Sequence, residues 1–311
     1  MKLKLFTHTD LDGVGCYIAA AHILGTEHID VTYCDYHNVN DKILTFLEEG
    51  KPTDYDAIFI TDISMNEEVA ERLDLIHRGD VAKVQLLDHH VTAEWLNKYD
   101  WSRVLPVDDD GVKTSGTSLV AGYFEEQGYN IPKNLLEFVE KVRRYDTWDW
   151  HTIHNDTEAK QLNDLFSIVG RSNFVNDTLH KLEYEFDLFD ATDLTVLTIR
   201  QEEIDRYIKA KEKSMQVLSI DGYQVGVIFS ERFSSEMGNT IATNHPEIDI
   251  VAMINIDSGA MSLRTNKDDV DVSVIAKKYG GGGHPKASGA PLNDAAKRII
   301  LALQFPNLLA Q

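Results

Sequence analysis

In roughly the first 185 residues, short apolar runs alternate with longer segments of helical periodicity, and this alternation strongly restricts the fold. The predicted strands are 2–7, 30–36, 57–61 and 83–87, and the predicted helices are 13–24, 67–78, 115–127 and 133–144. Strands that are apolar throughout are typical of sheets covered on both faces, and their alternation with helices indicates parallel pairing. We therefore predict an α/β fold with a parallel sheet for this part of the chain.

A second alternation of strands and helices follows a long helical segment at 195–216. Its predicted strands are 223–229, 250–256 and 261–264, and its predicted helices are 235–244 and 272–279. A chain of 311 residues is long for one hydrophobic core. We therefore predict an N-terminal domain at 1–185, a helical linker at 186–216 and a smaller C-terminal α/β domain at 217–311.

The composition is that of an ordinary globular protein, with 43% hydrophobic and 26% charged residues. No apolar run approaches the ~20 residues that cross a bilayer, and the N-terminus reaches polar residues too early for a signal peptide. The two cysteines, Cys16 and Cys34, suit a reducing compartment and argue against a disulfide framework or a cysteine metal site. We predict a cytoplasmic protein with no membrane partner.

The formal net charge of −21 restricts the class of partner. Binding to the backbone of a long nucleic acid needs a basic track, which this composition opposes. Carboxylates that hold metal ions are neutralised by them, however, and the field at such a site can be positive. The charge therefore disfavours a long nucleic acid and admits a small anionic substrate drawn to metal ions.

Residues typical of metal ligands follow the first predicted strand, in His8-Thr9-Asp10-Leu11-Asp12-Gly13. Alternate residues of an extended segment share a face, so His8, Asp10 and Asp12 can converge. Imidazole and carboxylates suit Mn²⁺ or Mg²⁺, and the lack of thiolates argues against structural zinc. The alternative is a polar loop in which Asp12 caps the helix that follows.

Asp62 and the triplet Asp88-His89-His90 each follow a predicted strand. Ligands of open α/β sheets bind beyond the carboxyl ends of the strands, which is where His8, Asp62 and Asp88 would lie. Asp62 alone is explained as a helix cap, but beside the other clusters it is a candidate carboxylate shared by two cations. In the triplet, a histidine ligand and an aspartate that orients it stand together, whereas either histidine alone could be an ordinary turn residue.

The C-terminal domain carries the run Gly280-Gly281-Gly282-Gly283-His284-Pro285-Lys286. Consecutive glycines cost backbone entropy, and they permit conformations in which successive N–H groups face an anion. Gly281, Gly282, Gly283 and His284 are therefore candidate phosphate-binding residues, with a flexible linker as the alternative. Arg264 could complete this site or form a surface ion pair.

Two further motifs give weaker indications. Gly13-x-Gly15 lacks the third glycine of a dinucleotide-binding fingerprint. Ser115-Gly116-Thr117-Ser118 stands at a predicted helix start, where phosphate binding is conceivable but ordinary capping is the preferred interpretation.

Together these motifs resemble the DHH phosphoesterase superfamily, whose defining triplet stands here at 88–90, and the glycine-rich run resembles its DHH-associated domain. The resemblance extends over nearly the whole chain. It implies an N-terminal α/β domain joined by a helical linker to a smaller α/β domain, with the active site in the interdomain cleft.

The resemblance also implies roles for individual residues. One Mn²⁺ would be held by His8, Asp10 and Asp62, and a second by Asp12, Asp62, His89 and Asp146, with Mg²⁺ or Co²⁺ as substitutes. Asp88 would support the histidines, and His90 would face the substrate phosphate. Substrate would be bound from the second domain by Arg264, the glycine run and His284. The segment that supplies Asp146 also contains Asp149; Asp146 is preferred, and its alternative is an ion pair with Arg143 or Arg144.

The implied activity is metal-dependent hydrolysis of very short RNA, as in nano-RNases, by a two-metal mechanism. We expect neither the extra nucleic-acid-binding domain of RecJ-type exonucleases nor the membrane and sensor segments of membrane-bound cyclic-dinucleotide enzymes. The alternatives are a 3′-phosphoadenosine 5′-phosphate phosphatase and a linear or cyclic dinucleotide phosphodiesterase. A non-catalytic nucleotide-binding protein would lack at least one metal ligand, and the pyrophosphatases of the superfamily resemble a different C-terminal domain. Homodimerisation is left open.

Overall fold

The computed structural model describes residues 1–184 and 187–292. The chain divides into two compact units, Met1–Leu197 and Thr198–Gln311, here called the first unit and the second unit. The division falls inside one long helix, Ala191–Glu212 (α8), where we predicted a separate linker at 186–216. Leu197 belongs to the core of the first unit, and Ile204 and Ile208 belong to that of the second.

The first unit contains a five-stranded parallel sheet. Its strands are Leu3–His8 (β1), Ile29–Cys34 (β2), Ala57–Thr61 (β3), Lys83–Asp88 (β4) and Ser102–Val104 (β5), arranged in the order β2-β1-β3-β4-β5. Since β1 and β4 both neighbour β3, the carboxyl ends of these three strands meet at one edge. The predicted parallel α/β fold is confirmed.

Among the described residues 1–184, seven α-helices of the first unit precede α8. They are Leu11–Leu24 (α1), Val39–Glu48 (α2), Glu67–Arg78 (α3), Gly116–Glu126 (α4), Lys133–Asp146 (α5), Thr157–Val169 (α6) and Arg171–Tyr184 (α7). They cover both faces of the sheet, and β3 shows why its residues are all apolar. Ala57 and Phe59 enter the core that includes α1, α4 and α5, whereas Ile58 and Ile60 enter the core that includes α2 and α3.

In its described part, up to residue 292, the second unit contains a six-stranded mixed sheet. Its strands are Gln216–Ile220 (β6), Tyr223–Phe229 (β7), Ile250–Asn255 (β8), Ala260–Arg264 (β9), Gly282–His284 (β10) and Ala287–Pro291 (β11), in the order β10-β11-β9-β8-β7-β6. Only the β7–β8 pair is parallel among these described strands. The helices Ser234–Asn244 (α9) and Val272–Lys278 (α10) complete the predicted second α/β unit. The C-terminal part of the domain predicted at 217–311 lies outside the described residues from 293 onward.

Among the described residues, no helix combines the length and the apolar character that a bilayer crossing requires.

Candidate metal centre

Histidine and aspartate side chains gather where β1, β3 and β4 end. His8 is the last residue of β1, Asp62 follows β3, and Asp88 is the last residue of β4. Within each of three overlapping groups, the candidate ligand atoms lie within 4.8 Å of one another. The groups are His8, Asp10 and Asp62; Asp12, His89 and Asp146; and Asp62, Asp88, His89 and His90. All eight residues predicted for the catalytic and metal site therefore lie together.

Asp62 faces two of these groups with its two oxygens. Its Oδ2 lies 3.7 Å from His8 Nδ1, which is also 2.7 Å from Asp10 Oδ2. Its Oδ1 lies 3.3 Å from His89 Nε2. Asp62 is 1% exposed and has a φ of 55°, a left-handed conformation that is uncommon outside glycine and that clusters at functional sites. This geometry allows one carboxylate to serve two cations.

His89 connects the second group. Its Nε2 lies 3.4 Å from Asp146 Oδ2 and 3.8 Å from Asp12 Oδ2, in addition to the contact with Asp62. Three carboxylates therefore converge on one ring nitrogen, which can form a hydrogen bond to one of them at most. Such convergence fits a cation placed among the four side chains better than it fits hydrogen bonding.

The electrostatics of the cluster also fit bound cations. Burial, followed by repulsion from Asp12, raises the pKa of Asp62, and the same two causes raise that of Asp146 to about 7. Contact with Asp10, followed by contact with Asp62, raises the pKa of His8 to about 10. The cluster thus concentrates carboxylates where water solvates them poorly. Divalent cations bound there would neutralise this negative charge.

Several polar atoms of the cluster lack hydrogen bonds. Within the described ranges 1–184 and 187–292, no hydrogen-bond partner is present for the buried atoms His8 Nδ1, Asp62 Oδ2, His89 Nε2 and Asp88 Oδ2. The carboxylates near His8 Nδ1 are at ion-pair distance but outside hydrogen-bond geometry. Buried polar atoms normally have partners, so unpaired atoms on residues that lie within 4.8 Å of other candidate ligands are consistent with a metal site.

Two helix starts position the aspartates that follow β1. Asp10 is the N-cap of α1, its Oδ1 accepting a hydrogen bond from Gly13 N at 3.0 Å. The alternative that Asp12 caps this helix is therefore wrong. Asp12 lies buried in the first turn, and its two oxygens accept from Gly116 N at 2.5 Å and Thr117 N at 2.9 Å.

The start of α4 thus has a role that the sequence did not reveal. Ser115 caps the helix as predicted, accepting from Ser118 N, while the next two amides hold Asp12. A Cβ at Gly116 would lie 2.5 Å from Asp62 Cβ, so only glycine permits this approach. The positive end of α4 further stabilises the Asp12 carboxylate.

Asp88 orients His90. Its Oδ1 accepts from the backbone N–H groups of His89 and His90 and lies 2.7 Å from His90 Nδ1. A carboxylate acceptor at that distance places a proton on Nδ1. The other nitrogen, Nε2, lies 3.3 Å from the hydroxyl of Tyr36, a residue without a recognisable sequence pattern.

The structure separates Asp146 from Asp149. Asp146 points toward His89, whereas Asp149 is 2% exposed and pairs with Arg143 Nη1 at 3.0 Å and Lys113 Nζ at 3.4 Å. Burial alone would raise the pKa of Asp149, but the hydrogen bond from Arg143 and the charge of Lys113 hold it below its ordinary value. The ion pair considered as the alternative for Asp146 is therefore formed by Asp149.

The predicted substrate-binding residues of the second unit lie on, or directly before, the neighbouring strands β9 and β10, which β11 joins. Arg264 on β9 is paired with Ala287 on β11, and Ala287 is paired with His284 on β10. These three residues therefore form one row across the three strands. Side chains in register share a face of the sheet, which places Arg264 and His284 on the same side.

The glycine run is partly an edge strand rather than an open loop. Gly282–His284 forms β10 and pairs with β11. Gly280 has a φ of 77° and Gly283 a φ of 138°, and a Cβ at Gly281 would lie 2.0 Å from the carbonyl oxygen of Gly289. Backbone geometry thus explains three of the four glycines: Gly280 and Gly283 by a positive φ, and Gly281 by a close approach.

Comparison with known proteins identifies the family. A model of the DHHA1 domain matches residues 222–310. The oligoribonuclease NrnB of Bacillus subtilis is 39% identical over 305 residues, which cover 97% of this chain and 75% of NrnB. The chain belongs to the DHH phosphoesterase superfamily. The resemblance drawn from the motifs is thereby confirmed, and membership makes the chain a hydrolase of phosphoric esters.

More distant proteins match over most of the chain. A 3′,5′-cyclic-nucleotide phosphodiesterase of Helicobacter pylori is 24% identical over 94% of this chain and 93% of the relative. The structure of PggH, a pGpG-specific phosphodiesterase from Vibrio cholerae, matches with a TM-score of 0.57 and 14% identity over 99% of both chains. A RecJ exonuclease bound to manganese matches with a TM-score of 0.51 and 14% identity, over 97% of this chain and 88% of RecJ. The two structures share the DHH fold with this chain.

Proposed function

We propose that this DHH protein is a Mn²⁺-dependent phosphodiesterase that hydrolyses very short RNA oligonucleotides. The identity to NrnB over nearly the whole chain supports the substrate class. The observation that carries the metal dependence is Asp62, a buried carboxylate whose two oxygens face two separate groups of candidate ligands. The chain's net charge of −21 favours short substrates over long ones.

Two ions would occupy the centre. One would be held by His8, Asp10 and Asp62, and the other by Asp12, Asp62, His89 and Asp146; Mg²⁺ or Co²⁺ could take the place of Mn²⁺. Bound there, the cations would supply Lewis acidity toward the phosphate oxygens and a source of hydroxide at neutral pH. The hard oxygen and imidazole donors suit these metals.

The chain's own residues would orient the reacting groups. Asp88 holds the ring of His90 through Nδ1, which leaves Nε2 as the nitrogen that would meet a phosphate oxygen or the leaving oxygen. The amides at the start of α4 fix the direction of Asp12. Pre-orientation of this kind lowers the cost of reaching the transition state.

Arg264, Gly281, Gly282, Gly283 and His284 would bind a phosphate or nucleotide of the substrate. The shared sheet face of Arg264 and His284 supports this role. Within the protein, the Arg264 guanidinium donates from Nη2 to Ser235 Oγ at 3.2 Å and from Nη1 to the carbonyl oxygen of Leu263 at 3.0 Å. Its other N–H groups could bind a substrate phosphate.

Hydrolysis of linear or cyclic dinucleotides is the second candidate function. It is favoured by the fold shared with PggH, a pGpG-specific phosphodiesterase, over 99% of both chains. A dinucleotide is also the smallest RNA substrate of the first candidate, so the two functions differ in preference rather than in chemistry.

The test is a substrate panel with Mn²⁺. It comprises RNA two- to five-mers, a long RNA, pGpG, a cyclic dinucleotide, 3′-phosphoadenosine 5′-phosphate and pyrophosphate. We expect the highest kcat/KM with the short linear RNAs, and loss of activity with a chelator. A preference for pyrophosphate or for long RNA would overturn the proposal. As a matched control, Asp164→Asn alters a carboxylate of α6 that pairs with Lys160, outside the cluster, and should leave activity unchanged.

A further inference from the structure

Tyr36 lies in the turn after β2, and its side chain reaches the candidate metal centre. Its ring centroid is 5.0 Å from that of His8 and 6.3 Å from that of His90, and its hydroxyl is 3.3 Å from His90 Nε2. The residue nevertheless remains 59% exposed. One side of the ring therefore lies against two histidines of the site, while most of the remainder faces solvent.

The turn that carries Tyr36 is fixed by its own side chains. Asn38 Oδ1 accepts from Asp35 N at 3.0 Å, and Asn38 Nδ2 donates to Asp35 Oδ2 at 2.7 Å. Asp35 Oδ1 also accepts from His37 N at 2.8 Å. Tyr36 is enclosed between these reciprocal contacts, so an exposed aromatic ring is presented from a constrained backbone rather than from a loose loop.

We propose that Tyr36 is a specificity-determining residue whose exposed ring face stacks on a nucleobase next to the phosphate bound at His90. This inference rests on the proposed function. Every base offers a π face, so stacking on tyrosine favours nucleotides irrespective of base sequence. The turn, fixed by the reciprocal contacts of Asp35 and Asn38, sets the position of the ring. The site would thereby select phosphates that carry a base over phosphates that do not.

The test compares binding of AMP and of ribose 5-phosphate, which share a phosphate and a sugar and differ in the base. Affinities are measured by calorimetry with Mn²⁺ for the wild type, Tyr36→Phe and Tyr36→Leu. We expect the wild type to bind AMP about tenfold more tightly than ribose 5-phosphate. Tyr36→Phe should keep most of this ratio, and Tyr36→Leu should bring it close to one.

Tyr184→Leu is the control, because Tyr184 is 67% exposed at the end of α7 and should leave the ratio unchanged. With an RNA dinucleotide, Tyr36→Leu should raise KM about tenfold and change kcat less than threefold. A wild-type ratio near one, or an unchanged ratio in Tyr36→Leu, would overturn the role of Tyr36. Failure of the wild type to hydrolyse short RNA would instead overturn the proposed function, while the binding ratio still decides the stacking role.

Discussion

The carboxyl edge of the first unit's sheet and the glycine-rich edge of the second unit's sheet both stand out in the sequence, but for opposite physical reasons. At the first edge, buried carboxylates repel one another and several ligand atoms are unpaired among the described residues. At the second edge, the glycines are explained by positive φ angles and a close approach to β11. Buried carboxylates that repel one another cost folding free energy, so their presence itself indicates a function. Glycines that the backbone conformation requires are explained without a function, so a role in binding needs a separate test.

The largest effect is expected from Asp62→Asn. Asparagine tolerates the left-handed conformation at this position, so the backbone should be preserved. Turnover should fall by at least about a thousandfold, because the carboxylate facing both ligand groups loses its charge. In a chelator the melting temperature should stay the same or rise, because burial of a repelled charge is relieved. Kinetics and thermal unfolding check both effects; Mn²⁺-dependent turnover at the wild-type rate would refute the role.

Asp146→Asn and Asp149→Asn form a matched pair that sharpens the comparison within the first edge. The first change should lower kcat/KM by about a hundredfold or more, with little loss of stability. The second removes one of the two carboxylates that pair with Arg143 and leaves Glu140 in place, so it should cost about 1–3 kcal/mol of unfolding free energy. Urea unfolding and steady-state kinetics separate the two. The interpretation is wrong if Asp149→Asn is the variant that loses activity while remaining stable.

Gly281→Ala and Gly282→Ala test the second edge in the same way. A Cβ at Gly281 would meet the Gly289 carbonyl at 2.0 Å, whereas a Cβ at Gly282 meets nothing within 4 Å. Gly281→Ala should therefore destabilise the protein by about 1–3 kcal/mol, and Gly282→Ala by only a few tenths. Chemical denaturation of both variants gives the answer. Equal losses would show that the glycines are not there for backbone geometry.

The effect that is smallest per measured step is a pH dependence of the unfolding free energy, which bound metal should abolish. The folded protein holds the pKa of Asp146 at about 7, above its unfolded value near 3.8. In a chelator this group stabilises the fold below about pH 4, and the contribution is lost as the pH rises toward 7. The slope should be on the order of 1 kcal/mol per pH unit, taken as the difference between wild type and Asp146→Asn.

With saturating Mn²⁺ the slope contributed by Asp146 should vanish, because a metal-bound carboxylate is deprotonated in the folded state, as it already is in the unfolded state above about pH 4. Urea unfolding at several pH values between 4.5 and 7, with and without Mn²⁺, measures both slopes. An equally steep fall of stability with rising pH in the presence of Mn²⁺ would contradict cation binding at this cluster.

Features of the structure that depend on neighbouring residues could be predicted from the sequence, whereas features that depend on distant residues could not. The bounds of β3 and α3 agree with the predicted ones, because an apolar run and an amphipathic period are local features. The amphipathic helix α2 was not predicted. The ligands at the strand ends could be predicted, because the topology brings those ends together.

Other features depend on contacts between distant segments. The backbone amides of Gly116 and Thr117 donate hydrogen bonds to Asp12, which lies more than a hundred positions earlier in the chain. No local sequence pattern indicates these contacts. The choice between Asp146 and Asp149 depends on which side chain reaches Arg143, and Trp148 between them has a positive φ of 66°. Tyr36 carries no motif at all. Such roles emerge only from the packed structure.

The central claim is that the first edge binds two cations that share Asp62. It is tested most directly by counting bound Mn²⁺ per chain after equilibrium dialysis, using plasma mass spectrometry, for wild type and Asp62→Asn. We expect two ions per wild-type chain and fewer in the variant. One ion or none in the wild type, or two retained in Asp62→Asn, would contradict it.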